Sequence, residues 1–214
     1  MTHEYVNNGS DIYRESFRII RSEANLDRFP TDVEGVVVRM IHAAADPAIA
    51  DDIAFTPGVV KAARKALGNG APILCDSSMT ATGIIRSRLP RDNETICYIK
   101  DPRLADIAKA KNMTKTCAAV DLWAEEGKLD GAIVAIGNAP TALFEVLRLV
   151  REEGIRPACI VGIPVGFVGA AESKAELAAN DIVPYITVEG SKGGSPIAAA
   201  AVNALMYMID NTRA

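Results

Sequence analysis

The sequence predicts an α/β protein: three layers, α/β/α, built on a mainly parallel sheet of about five strands with helices on both faces. Three observations carry that expectation. Short apolar runs alternate with segments of helical periodicity along the whole chain. The runs have the length and composition of strands buried in a covered sheet. Three of them leave through a Gly-containing loop into a helix, the pattern of a βα unit.

The elements follow in order. Residues 11–25, DIYRESFRIIRSEAN, fit an amphipathic helix with Ile12, Tyr13, Ser16, Phe17, Ile19 and Ile20 on its inner face at about 100° per residue. A second helix opens at Thr31 and runs to about Asp46; TDVE reads as a capping box in which Thr31 caps the backbone and Glu34 reaches back. A third starts near TPG (56–58) and ends at GNG (68–70). APILCD (71–76) is a short buried strand, followed by a helix over SMTATGIIRSRL (78–89). TICYI (95–99), AIVAIG (132–137), ACIVGIP (158–164) and YITVE (185–189) supply four more strands. Helices fill the gaps at about 103–111, 117–126, 140–153, 172–179 and 195–210. No repeat, low-complexity tract or linker interrupts this order, so residues 1–214 are expected to form one domain.

Composition narrows the function classes. The 214 residues are 49% hydrophobic and 23% charged, the balance of a globular protein with a real core. A net charge of −4 favours neither nucleic acid nor an anionic membrane as partner. A polyanionic ligand would need locally placed cations. No apolar run reaches the ~18 residues of a membrane span, and PIAAAAVNALMYMI (196–209) reads as a buried Ala-rich helix. The first residues lack the basic-then-apolar order of a signal peptide, so a cytosolic chain is expected. Cys75, Cys97, Cys117 and Cys159 are far apart, and with only two histidines a protein zinc site is not expected.

The Gly loops GNAPTAL (137–143), GIPVGFVGAAESK (162–174) and EGSKGGSPIAA (189–199) should emerge together at the carboxyl edge of the sheet. There glycines allow close backbone approach and helix N-termini offer N–H groups to anions. None of the three is a dinucleotide fingerprint or a phosphate-binding P-loop. They mark a ligand crevice, or they are ordinary turns.

His3 lies in a loose start, whereas His42 sits among small and apolar residues. On a helical wheel His42 falls about 180° from Val33, away from the stripe of Val33, Val37, Met40, Ile41 and Ala44. Arg39 and Asp46 share its side. Two readings stand: a solvated polar face with a His–Asp pair, or a proton donor in a cleft beside a cation that holds an anionic substrate. Asp46 would favour the imidazolium and Arg39 would oppose it. No nucleophile constellation can be drawn except through His42.

SFRIIRSE (16–23), VRMIHAAAD (38–46), APILCDSSMTATGI (71–84), GNAPTALF (137–144), VGIPVGFVGAAESK (161–174) and KGGSPIAAAAVNAL (192–205) together resemble the precorrin-8X methylmutases, over nearly the whole chain. The resemblance implies an isomerase of cobalamin biosynthesis. It would move a methyl group from C-11 to C-12, turning precorrin-8X into hydrogenobyrinate or cobalt-precorrin-8 into cobyrinate. No redox cofactor and no protein-bound metal are implied. It implies a homodimer with the tetrapyrrole near the subunit interface. By the same resemblance His42 is the catalytic proton donor and acceptor, and Ser16 and Arg39 bind substrate. Sequence alone leaves Ser16 the alternative of bonding back to its own helix.

The carboxylates of such a substrate require cations, for which Arg39, Arg86, Arg88, Lys115, Lys174 and Lys192 are the candidates. Each lysine also reads as a solvated surface charge. Lys115 stands where many members carry arginine; it keeps the charge but lacks the bidentate fork. The alternatives are a non-catalytic corrin carrier on the same scaffold, which would not need His42, and a nucleotide-dependent α/β enzyme.

Overall fold

The computed structural model describes residues 6–210, with side chains to residue 206, so His3 lies outside the described residues. The chain runs α1 (Gly9–Glu23), α2 (Thr31–Ala44), α3 (Ile49–Asp52), β1 (Ile53–Phe55), α4 (Val59–Gly68), β2 (Ile73–Cys75) and α5 (Ser78–Gly83). It continues with β3 (Thr95–Ile96), α6 (Leu104–Ala110), α7 (Lys115–Glu125), β4 (Ile133–Ile136), α8 (Pro140–Glu152), β5 (Cys159–Gly162), α9 (Ala170–Ala178), β6 (Tyr185–Val188) and α10 (Ser195–Asp210).

The six strands form one sheet in the order β1-β6-β5-β4-β2-β3, parallel throughout except for β1, which runs antiparallel to β6. Alternate strand residues serve opposite cores, as the period of two demands. Ile73, Cys75, Ile133, Ala135, Cys159, Val161 and Ile186 face a core shared with α2, α4 and α10. Leu74, Val134, Ile136 and Ile160 face one shared with α7, α8 and α9. The predicted three layers and mainly parallel sheet are therefore present, with one strand more than the sequence indicates. Among the described residues no helix is long and apolar enough to cross a membrane. All four cysteines are free, and burial pushes the thiols of Cys117 and Cys159 up to about 12.

The unforeseen strand is β1. It spans three residues, follows the single turn of α3 and begins directly after Asp51 and Asp52, so no apolar run announces it. The carbonyl of Asp52 and the amide of Thr56 bond to the neighbourhood of β6, which turns the Ile53 carbonyl outward by the alternation of an antiparallel ladder. Arg28 donates to that carbonyl at 2.5 Å and to Ala50 O at 2.6 Å.

Two other expectations are corrected. Thr31 is the first helical residue of α2, Pro30 is the cap, and no side chain caps it; Glu34 instead accepts from Arg21 Nε at 2.8 Å, tying α1 to α2. The single helix expected over 78–89 stops at Gly83 and resumes as a 3₁₀ turn at Arg86–Arg88. A Cβ on Gly83 would lie 2.7 Å from Ala199 Cβ, so α5 is pressed against α10 there. Asn203 of α10 takes over the released groups: Ile85 N donates to its Oδ1 at 3.0 Å, and its Nδ2 donates to Gly83 O at 2.9 Å.

At the carboxyl edge, Asp76 is 1% exposed. Its carboxylate accepts from the amides of Gly137 (3.0 Å), Asn138 (2.8 Å) and Ala139 (2.7 Å), the turn that starts α8. The GNAP amides thus bind the protein's own anion, not a ligand. Burial holds the Asp76 carboxyl above the usual carboxylate range, the amide bonds offsetting only part of that rise. Gly137 is required by space: a Cβ there would sit 2.6 Å from Ser195 Cα and 2.7 Å from Thr80 Oγ1. Removing the acceptor from buried amides costs about 1–3 kcal/mol per unpaired group. With the Gly137 and Ala139 amides buried and Asn138 exposed, Asp76→Ala is expected to lose at least about 2 kcal/mol in urea unfolding, and Asp76→Asn, which keeps one acceptor oxygen, to lose less.

Candidate functional site

The site lies where α1 crosses the end of α2. Asn8 starts α1 by accepting from the amides of Ser10 (3.0 Å) and Asp11 (3.2 Å). The helix is amphipathic as predicted, yet of its expected inner face only Ile20 is buried. Ser16 and Phe17 are half-buried, while Ile12, Tyr13 and Ile19 are 46%, 53% and 39% exposed. The face is turned toward α2, but most of it looks into a cavity of about 550 Å³ lined by Ser16, Ile19, Ile20, Ile41, His42 and Pro47, among others.

His42 stands on the polar side of α2, opposite the buried Val33, Val37 and Met40, as the wheel indicates. Its Nδ1 lies 2.8 Å from Ser16 Oγ. Ser16 therefore does not bond back to its own helix. The Tyr13 ring stacks on the imidazole at 5.2 Å between centroids and 27° between planes. Phe17 meets it edge to face at 5.6 Å and 89°, and the Arg39 guanidinium lies over the Phe17 ring at 5.3 Å. Three residues of α1 spaced i, i+3 and i+4 thus grip one ring on α2.

This arrangement suits reversible proton transfer. A hydroxyl is both donor and acceptor. It can donate to Nδ1 of the neutral ring and accept from Nδ1–H of the imidazolium, so the Ser16 bond survives either state. The stacked and edge-on aromatic rings limit rotation of the imidazole, and Nε2 is left as the nitrogen free for exchange with a ligand.

Asp46 does not pair with His42. Its Oδ2 accepts from Lys192 Nζ at 2.7 Å, and its Oδ1 accepts from Ala48 N at 3.1 Å. The sharp exit from α2 that makes this possible is Ala45, in the left-handed region at φ 52°. Lys192 is thereby brought from the last Gly loop to the foot of the His42 helix. The remaining candidates lie elsewhere. Arg86 lines a separate cavity of about 490 Å³ beside β3, with Arg91, Asp92, Thr95, Tyr98 and Lys128. Lys115 is exposed in the first turn of α7. Arg88 lies in the 3₁₀ turn after α5 and also lines neither cavity. Lys174 is neither a solvated charge nor a group facing the cavity: it is fully buried.

One chain therefore gathers Ser16, Arg39, His42 and Lys192, and leaves Arg86 and Lys115 apart. Sequence reasoning missed Tyr13 as a neighbour of the imidazole, although its i−3 spacing from Ser16 carried the signal. It also missed the Lys192–Asp46 pair, which spans 146 residues and leaves no local trace.

The precorrin-8X methylmutase family model matches residues 11–208. A precorrin-8X methylmutase of Sinorhizobium sp is 48% identical over 204 residues, covering 95% of this chain and 96% of that protein. One of Pseudomonas aeruginosa is 49% identical, covering 94% and 97%. A cobalt-precorrin-8 methylmutase of Leptospira interrogans is 39% identical over 96% of both chains. The crystal structure of a precorrin-8X methyl mutase from Thermus thermophilus superimposes with a TM-score of 0.86 at 42% identity, covering 95% of this chain and 98% of that one.

The Lys192 ammonium, helped by the Ala48 amide, holds the Asp46 carboxyl below the usual carboxylate range against the opposing effect of desolvation. The ion pair is thus intact at neutral pH and is lost only as pH falls through that lowered value. In Lys192→Met the Asp46 carboxyl ¹³C titration is expected to move up toward an ordinary aspartate; an unchanged midpoint would deny the pairing.

Proposed function

The chain belongs to the precorrin-8X methylmutase family, and from that premise we propose how its own residues carry the reaction. It is an isomerase of cobalamin biosynthesis. The methyl group migrates within one molecule, from C-11 to C-12 of the corrin precursor, so nothing is added or removed overall. His42 as imidazolium gives a proton to the conjugated macrocycle, the methyl moves with its bonding pair, and the neutral imidazole takes a proton back. The single observation that carries this role is the Ser16–His42 hydrogen bond in the wall of the cavity of about 550 Å³. A carrier that bound a corrin without converting it would have no use for such a buttressed imidazole.

Substrate binding falls to Ser16 in the cavity wall and to Arg39 and Lys192, which stand outside its lining on either side of the His42 turn. Arg39 and Lys192 meet the acetate and propionate side chains against the protein's net charge of −4. Ser16 serves both ring and substrate. Arg86 and Lys115 remain candidates for carboxylates that reach beyond the cavity.

The tetrapyrrole sits near an interface between two copies. The support is the open apolar face of α1, where Ile12, Tyr13 and Ile19 lie uncovered together. We read the enzyme as cytoplasmic and as a single domain over residues 1–214; its small-molecule chemistry supports that reading.

Incubation with metal-free precorrin-8X and, separately, with cobalt-precorrin-8 tests the reading by absorbance. A new corrin spectrum is expected from at least one, and none from either would overturn it. General acid catalysis contributes about 10²–10⁴-fold, so His42→Ala should still bind tetrapyrrole and lose that much in kcat. Ser16→Ala, which removes one orienting hydrogen bond, should lose about fivefold. Ile19→Glu should shift sedimentation from dimer to monomer; an unchanged profile would move the interface away from α1.

A further inference from the structure

Lys174 has no part in the mechanism above, yet it is among the largest side chains that are wholly buried, at 0% exposure. A buried ammonium demands a partner. Here Nζ donates at 2.5 Å to the backbone carbonyl of Lys192. Burial pulls the Lys174 ammonium down to about 8, with the nearby Asp52 carboxylate opposing.

The carbonyl it holds belongs to the loop between β6 and α10. That loop is fastened on one side to the loop after β5: Gly194 N donates to Ile163 O at 2.9 Å, and Gly166 N donates to Ser191 O at 3.2 Å. The two backbones are so close that a Cβ on Gly193 would lie 2.6 Å from the carbonyl oxygens of both Ile163 and Pro164. On its other side the loop sends out the Lys192 side chain, whose Nζ meets Asp46 at 2.7 Å, just past the end of the helix that carries His42. A continuous line of contacts therefore runs from α9, through the Lys192 backbone and then its side chain, to the end of α2.

We propose that Lys174 is a positioning residue: by donating to the Lys192 carbonyl it fixes where the Lys192 ammonium stands beside the His42 helix, and so how the substrate's carboxylates are received. The proposal rests on the reading that an anionic tetrapyrrole binds at His42. It explains why a cation occupies a place that an apolar side chain of equal length would fill. Methionine there packs the same space and gives the carbonyl nothing.

The test uses Lys174→Met, Lys174→Gln, Lys192→Ala and the Lys174→Met/Lys192→Ala double variant of the full chain, each checked for Tm. KM and kcat are measured with whichever of precorrin-8X and cobalt-precorrin-8 the wild type converts, and amide hydrogen exchange is measured over residues 189–194 without substrate. Lys174→Met is expected to raise KM about tenfold with a smaller change in kcat and to speed exchange in the loop. The double variant should be no worse than Lys192→Ala alone, because both act through one ammonium. Lys174→Gln, which keeps a donor, should return KM and loop exchange toward wild type. A wild-type KM in Lys174→Met, multiplying effects in the double variant, or a glutamine no better than methionine would each overturn the proposal. If the methionine variant does not fold, the glutamine variant decides: KM and loop exchange raised above wild type but below the values of Lys192→Ala are expected, and both at wild-type values would overturn the proposal. Wild-type protein inert toward both precorrin-8X and cobalt-precorrin-8 would sink the reading of the site, while loop exchange would still judge Lys174.

Discussion

The carboxylate of Asp76, sealed at the end of β2, accepts three successive amides from the turn that begins α8, and the carboxyl edge of the sheet is arranged around it. Taking a carboxylate out of water costs several kcal/mol, and charge-assisted hydrogen bonds from preorganised amides offset that cost. The turn is held so tightly that the backbone of Ser195 can rest against Gly137 with no room for a side chain. Around the contact the hydroxyls of Ser77, Thr80 and Ser195 satisfy one another at 2.9–3.0 Å. The last loop and α10 are thereby seated. α10 packs along α2, which presents His42, so the position of the imidazole traces back to an aspartate that never meets a ligand.

Against this rigid edge the site itself is lightly built. α1 buries a single residue fully and is tied to α2 by the Ser16–His42 bond, the Arg21–Glu34 pair and aromatic contacts. Few buried apolar contacts mean a low free energy for local opening. A large, flat ligand benefits from such a boundary: the His42 imidazole is held by α1, and α1 can adjust without disturbing the sheet. Lys192 belongs to the other regime, anchored from behind and presented from a loop that has little freedom.

Much of this was legible in the sequence, because the five parallel strands and their covering helices are written in local periodicity. β1 was not, since three residues beside two aspartates make no pattern; pairing with β6 defines it. The capping box at Thr31 failed because Glu34 found a better partner in Arg21, a tertiary choice. The helix over 78–89 was cut by Asn203, more than a hundred residues away in sequence. For the site, the wheel placed His42 and Arg39 on one face, and the family resemblance added Ser16. Lys174, Asp76 and the Lys192–Asp46 pair were misread or unseen for one reason. Whether a charge is solvated or enclosed depends on which loops close over it, and nothing within a few residues reports that.

Arg28 adds a last point. Its guanidinium lies across the outward carbonyl of Ile53, and the opposite border of the sheet, β3, is only two residues long. Neither border offers a usable ladder of hydrogen bonds to another molecule. Strand-by-strand growth into fibrils is thereby discouraged, and contacts between copies are left to other surfaces than the sheet borders.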